Sequence, residues 1–168
     1  SDNGMTYTFK IKKGIKFHDN KCFPGGKGRE LKAQDFVYSI KRMADAKNVS
    51  TGWWLLDGKI EGLNKWRENN TGKDKVNYDE VVSGLKALDD NTLQFKLSKQ
   101  YPQFLYALAM VYTYAVPREA VDFYGKEFIN NPVGTGPFIT GTYAQAKRIE
   151  YKKNPNYRDV FYPSVGSE

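Results

Sequence analysis

The chain has 168 residues, 40% of them apolar and 15% aromatic, and its 26 basic and 19 acidic residues leave a net charge of +7. That length suits one domain with a real core, and the composition excludes a disordered polypeptide. One cysteine, Cys22, excludes an internal disulfide, and no apolar run approaches the roughly 20 residues of a membrane-spanning helix.

Residues 6–12 alternate, with Tyr7, Phe9 and Ile11 on one side and Thr6, Thr8 and Lys10 on the other, which predicts a half-buried strand. Lys13 and Gly14 punctuate it. Pro24, Gly25, Gly26 and Gly28 then mark residues 19–29 as a loop, with the stretch 24–29 mobile. From Ala33 the period changes: Phe36, Val37, Ile40 and Met43 stripe one face of a helix that ends near Asp45. Residues 48–52 read as a polar turn, 53–56 as an apolar knot, 60–66 as a short helix and 67–75 as a surface loop. Residues 85–89 and 92–97 flank Asp90 and Asn91 as a hairpin, with Leu93, Phe95 and Leu97 facing inward. Asp and Asn tolerate the positive φ that such a tight turn asks for. Pro102 starts a helix to about Met110, residues 112–116 form a strand stopped by Pro117, and 118–128 form a small helix. Strands over 138–143 and 148–152 close the chain as a second hairpin. Hairpins without a regular βαβ rhythm imply an α+β fold, with a mixed, mostly antiparallel sheet and helices packed on it.

The residues supply little reactive chemistry. His18, Cys22 and Asp19 are too thin a set for a metal centre, and a Cys22–His18 pair lacks an orienting group. Asp89 and Asp90 sit in a predicted turn, where Asp serves the backbone. The stretch Pro24-Gly25-Gly26-Lys27-Gly28-Arg29 lacks phosphate-loop spacing, and Gly134-Thr135-Gly136 lacks the third glycine of a dinucleotide fingerprint. We therefore read no catalytic residue, no metal and no cofactor. The lysines are scattered rather than blocked, which favours a solvated surface over a nucleic-acid footprint. Tyr7, Phe9, Phe36, Phe95 and Phe138 occupy predicted inward positions, where rings cannot stack on bases. A basic nucleic-acid-binding or protein-interaction module stands as the alternative reading.

Val133-Gly134-Thr135-Gly136-Pro137-Phe138 calls for glycine on backbone grounds, a sharp turn or a close approach, with Pro137 stiffening the entry to the strand. The segment 7–19, the helix beginning Ala33-Gln34-Asp35-Phe36, the turn Asp90-Asn91-Thr92-Leu93 and the run Asn154-Pro155-Asn156-Tyr157 accompany it in a fixed order. This ordered set, from about Tyr7 to Tyr157, resembles the peptide-type extracytoplasmic solute-binding proteins of bacterial family 5, the capture subunits of ABC importers. The chain departs from that family at Arg158, where Trp is common, and at Lys32, where Thr or Ser usually caps the helix. Lys has no acceptor to offer an orphan amide, so a frayed or shifted helix start is expected.

The resemblance implies one lobe of a periplasmic-binding-protein type II-like fold. Family members are several times longer, so residues 1–168 are expected to be a single domain of a longer receptor. Residues 1–4 would be linker, and 153–168 a tail leading into the main lobe. Gly134, Thr135, Gly136 and Pro137 would carry the chain back between lobes. Thr51, Trp53 and Trp54 would contact solute, with Met110 and Tyr112 as a second set; core packing is the competing role for the two tryptophans. The implied partners are a peptide or similar small solute and ABC permease subunits, without nucleic acid. The implied location is periplasmic or extracytoplasmic, free or lipid-anchored, with no enzymatic activity. Strand edges near both ends are expected to pair between copies.

Overall fold

A computed structural model describes residues 4–144 and 147–160. Residues 1–3 of the expected linker and 161–168 of the expected tail lie outside the described residues. The chain divides into two compact units, one made of Ser1–Lys12 with Lys32–Arg118, the other of Lys13–Leu31 with Glu119–Glu168.

The first unit is a helix-covered antiparallel sheet. β1 (Thr6–Lys10) pairs with β3 (Thr92–Lys96), which pairs in turn with β2 (Leu85–Asp89), giving the order β1-β3-β2. The register sets Tyr7 opposite Phe95 and Phe9 opposite Leu93, so the alternating apolar residues of both strands share one face. Phe95 meets Phe9 edge-on at 5.9 Å and Phe104 at 5.2 Å. α1 (Ala33–Ala44) lays Val37, Ile40 and Met43 into this core, and α2 (Leu63–Asn70) adds Leu63 and Trp66. Burial of each such side chain stabilises the unit by about 1.5–3 kcal/mol.

Several expectations are corrected here. α1 is neither frayed nor shifted: Asp35 Oδ2 accepts the Lys32 amide at 2.8 Å, and the Lys32 ammonium pairs with Asp90 at 2.8 Å. An acid at the third helical position thus replaces the missing hydroxyl cap. The β2–β3 turn needs no positive φ, because Val49 is the one non-glycine with φ above zero among the described residues. A register shift between Ala87 and Asp89 absorbs the turn instead, and Asp89 accepts from the Asn91 amide and the Thr92 hydroxyl, each at 2.8 Å. The helix expected over 60–66 begins at Leu63 and runs into the expected loop as far as Asn70. Buried Asn70 donates to Trp66 O at 2.9 Å and accepts from Asn77 N at 3.0 Å, which seals that end. α3 (Phe104–Leu108) is shorter than its Pro102 start suggested. Residues 112–116 form no strand: a 3-10 turn spans Val111–Thr113, and the Thr113 hydroxyl donates to Leu108 O at 2.7 Å.

The second unit holds α4 (Arg118–Tyr124, whose first residue belongs to the other unit), a 3-10 turn Gly125–Asn130, and the hairpin β4 (Phe138–Ala144) with β5 (Arg148–Lys153). Gly125 at φ 53° ends α4 four residues before the expected 128. Phe138, expected to face inward, is 63% exposed. A two-stranded ribbon has no second sheet layer to cover that face. The loop 19–29 is pinned, not mobile. Asp19 accepts from the Gly28 amide at 3.0 Å, the Asn156 amide group at 2.8 Å and the Lys27 ammonium at 2.8 Å. Phe17 before it and Phe23 within it are buried.

Candidate functional site

Solute sites are concave and combine apolar walls with a few oriented polar groups. Two hollows of the first unit can be compared on that basis. One, of about 230 Å³, is walled by Phe9, Ile11, Phe36, Ile40, Leu93, Phe95 and Leu108, with Thr113 as its one polar side chain. The other, about 440 Å³, is an open recess beside the C-terminal half of α1. Here Ser39 and Arg42 come from α1, Asn48 to Thr51 from the following turn, and Val111, Tyr112 and Tyr114 from the segment after α3. Of these two, the second offers the set of polar groups able to orient a solute.

Local sequence explains its shape. Asp45 accepts the Lys47 amide at 2.9 Å and starts a 3-10 turn, Ala46–Asn48, that closes on Val49 in the left-handed region. Asn48 Nδ2 donates back to Arg42 O at 2.8 Å, so the turn is tied to the end of α1. Ser39 Oγ donates to Asp35 O at 2.7 Å and accepts from Val116 N at 2.9 Å, which fixes the opposite wall. Gly52 lies flat under the Tyr112 ring: a Cβ there would stand 2.5 Å from Tyr112 Cγ. Glycine is what allows the turn and this ring to close on one another.

The expected solute residues separate in the structure. Thr51 and Tyr112 both line the recess. Trp53 is half-buried against the core, with the Arg67 guanidinium 4.9 Å over its ring. Trp54 is 63% exposed, and neither it nor Met110 lines the recess. Sequence reading missed Arg42, Asn48 and Tyr114. The available signal was the spacing of Ser39, Arg42 and Met43, which share a face of the helix that leads into the turn carrying Thr51.

The second unit is a scaffold of backbone carbonyls. The chain bends over 135–137 as expected, but a Cβ on Gly134 or Gly136 would meet open space and neither has positive φ, so the expected close approach at these glycines is corrected. The segment acts through its carbonyls: Gly134 O accepts from His18 N at 3.0 Å, Gly136 O from Asn154 Nδ2 at 2.8 Å, and Pro137 O from Asn154 N at 2.8 Å. Thr135 stands between these anchors. Asn154, at the head of the expected tail, is 1% exposed. The His18 ring nitrogens lie 3.1 Å from Asp19 O and 3.3 Å from Pro132 O. The Lys27 ammonium, with the Gly28 and Asn156 donors, lowers the Asp19 pKa from 3.8 to about 2. Arg29 grips Glu119 through two contacts, 2.6 and 2.8 Å, and holds that carboxyl below its ordinary range. Burial, followed by the Glu119 charge, pushes the Cys22 thiol up.

Among the described residues no helix is long and apolar enough to cross a membrane. Residues 1–165 match the family described as bacterial extracellular solute-binding proteins, family 5 Middle. The chain is 36% identical over 166 residues to the dipeptide-binding protein of Escherichia coli K12, covering 94% of this chain and 28% of that protein. It is 30% identical to heme-binding protein A of Haemophilus influenzae, covering 94% and 27%. A crystal structure of the substrate-binding domain of an oligopeptide ABC transporter from Bacillus anthracis superposes with a TM-score of 0.75 at 26% identity, covering 94% of this chain and 28% of that one. The chain thus spans under a third of the length of these relatives. Their names support solute capture and lend nothing to the nucleic-acid or interaction-module alternative.

Proposed function

Because this chain belongs to family 5 of the bacterial extracellular solute-binding proteins, we propose that it forms one lobe of the substrate-capture component of an ABC importer. The observation that carries the reading is the family match over residues 1–165, supported by similarity to a dipeptide-binding protein and to an oligopeptide transporter's binding domain. The solute is a peptide or a similar small molecule, held between this lobe and a main lobe outside the chain. Thr51 and Tyr112 in the recess contact it; Gly134, Thr135, Gly136 and Pro137 carry the chain toward the main lobe. The protein transforms nothing: it binds, closes and hands over to permease subunits. It works outside the cytoplasmic membrane, free or lipid-anchored.

Calorimetric titration of the complete protein with a panel of di- to pentapeptides tests this. Saturable binding without consumption of the peptide supports it; turnover of the peptide, or no binding to any member, overturns it. The lobe alone also presents the outer edges of β1 and β2 and both edges of the β4–β5 ribbon. These edges pair between copies. Sedimentation at rising concentration measures that, and a boundary that stays monomeric refutes it.

A further inference from the structure

The β4–β5 ribbon is two-faced. Ile149 and Tyr151 alternate along β5, and the register sets Thr140 opposite Tyr151 and Phe138 opposite Lys153, so Phe138, Thr140, Ile149 and Tyr151 share one side. Arg148, Glu150 and Lys152 hold the other side, with Ile139 opposite Lys152, and Arg148 pairs with Glu150 at 2.8 Å. Alternation of this kind marks a strand that buries its apolar side. Here that side is bare: Phe138 and Tyr151 are each 63% exposed, and Ile149 is 49% exposed. A two-stranded ribbon is marginal by itself, and an apolar sheet face calls for a second layer. The open end of the ribbon is nonetheless fixed. Asn154 donates its backbone amide to Pro137 O and its side-chain amide to Gly136 O, each at 2.8 Å, which presets the face.

We propose that this face is the seat of the main lobe, which supplies the missing apolar layer over Phe138, Ile149 and Tyr151. The inference rests on the reading of the chain as one lobe of a longer receptor; it covers 28% of the dipeptide-binding protein of Escherichia coli. Area decides against a second copy as the cover. Two aromatic side chains and an isoleucine, already partly covered, offer roughly 300–400 Å². Twice that, across two copies, stays below the roughly 1,000 Å² that an interface between separate chains clears. A lobe on the same polypeptide needs less, because the tether holds it at an effective concentration on the order of millimolar. The chemistry of the cover follows from the face. It is apolar over Ile149 and the Tyr151 ring, with one acceptor in reach of the Tyr151 hydroxyl and an acidic or carbonyl oxygen beside Lys153. As a structural layer it stays in place with or without solute.

Hydroxyl-radical footprinting of the complete protein tests this, with and without the di- to pentapeptide panel and over a range of protein concentrations. Phe138 and Tyr151 should oxidise at least about tenfold more slowly in the complete protein than in the 168-residue chain, under every one of these conditions. Tyr151→Lys sets an ammonium under the cover. It should lower the melting midpoint of the complete protein and leave that of the 168-residue chain, where the position is exposed, within about 1 °C of wild type. The footprint needs no variant, so it decides the matter even if Tyr151→Lys folds poorly. Equal oxidation in the two forms, protection that appears only with peptide, or protection that grows with protein concentration overturns this inference and leaves peptide capture standing. Equal midpoint shifts in the two forms overturn it as well. A complete protein that shields the face yet binds none of the peptides overturns capture and leaves the seat standing.

Discussion

Val49 sits at φ 45°, ψ 46°, a left-handed conformation in which a β-branched side chain crowds its own backbone. It is 82% exposed, so little burial offsets that crowding. The conformation is imposed from both sides, by Asp45 capping the 3-10 turn before it and by Gly52 closing under Tyr112 after it. Strain of this kind gathers where surrounding structure over-determines a loop, and here the loop is one wall of the recess. Val49→Asn keeps a side chain while easing the left-handed turn. It should stabilise the protein by about 1 kcal/mol, read as a higher urea midpoint at unchanged slope. A lower midpoint would show that Val49 packs against something that its exposure conceals. Lys41 makes the opposite point about single residues. On α1 it reads as part of a polar face, yet it is 3% exposed, donates to Tyr78 O at 2.8 Å and Glu80 O at 2.6 Å, and lies 5.8 Å from the Trp66 ring centroid. Burial lowers its pKa, and the two carbonyls satisfy the charge. Helical periodicity alone gives no notice of such a partner, because the Tyr78–Glu80 loop lies 37 to 39 residues away in sequence.

Among the elements, the loop over 19–29 depends on one carboxylate. Folding lowers the Asp19 pKa from 3.8 to about 2, so its contribution to stability is complete above pH 3.8 and disappears as the pH falls toward 2. Asp19→Asn removes that charge from the Lys27, Gly28 and Asn156 donors. At pH 6 the wild type should therefore outlast the variant in urea, and the two midpoints should converge as the pH approaches 2. Curves that stay parallel across that range would show that the loop is held by something else. The same element shows what was legible from sequence. Its glycines and proline mark a loop correctly, but they carry no notice of the long-range donor Asn156, 137 residues away, that turns a mobile segment into a pinned one. The β2–β3 hairpin was legible because its pairing is local and its apolar alternation is strict. Its turn was misjudged because Asp89 bonds the next residues and a register shift takes up the twist. Of the candidate site, Thr51 and Tyr112 could be placed from their positions beside a helix end and a turn. Arg42 escaped notice because a basic residue in a last helical turn already has an ordinary explanation.

For the molecule as a whole, the recess is open, and in the proposed two-lobed receptor it would supply one wall of the solute site. Tight small-ligand sites bury roughly 70–90% of the ligand surface, and an open wall falls short of that. The binding free energy left after loss of translational freedom and ordering of the peptide should then be small. The 168-residue chain alone should bind di- to pentapeptides with a Kd weaker than about 100 µM, and the complete protein should bind at least about 100-fold more tightly. If the chain alone reached micromolar affinity, the second lobe would be unnecessary for capture and the two-lobed mechanism would fail. If complete protein and lobe were equally weak, the recess would not be the contact surface. A large gap between them would mean that closure by the main lobe supplies most of the affinity. That outcome has a physical basis: enclosure scales with the surface that two lobes share, and one open wall buries only part of a ligand.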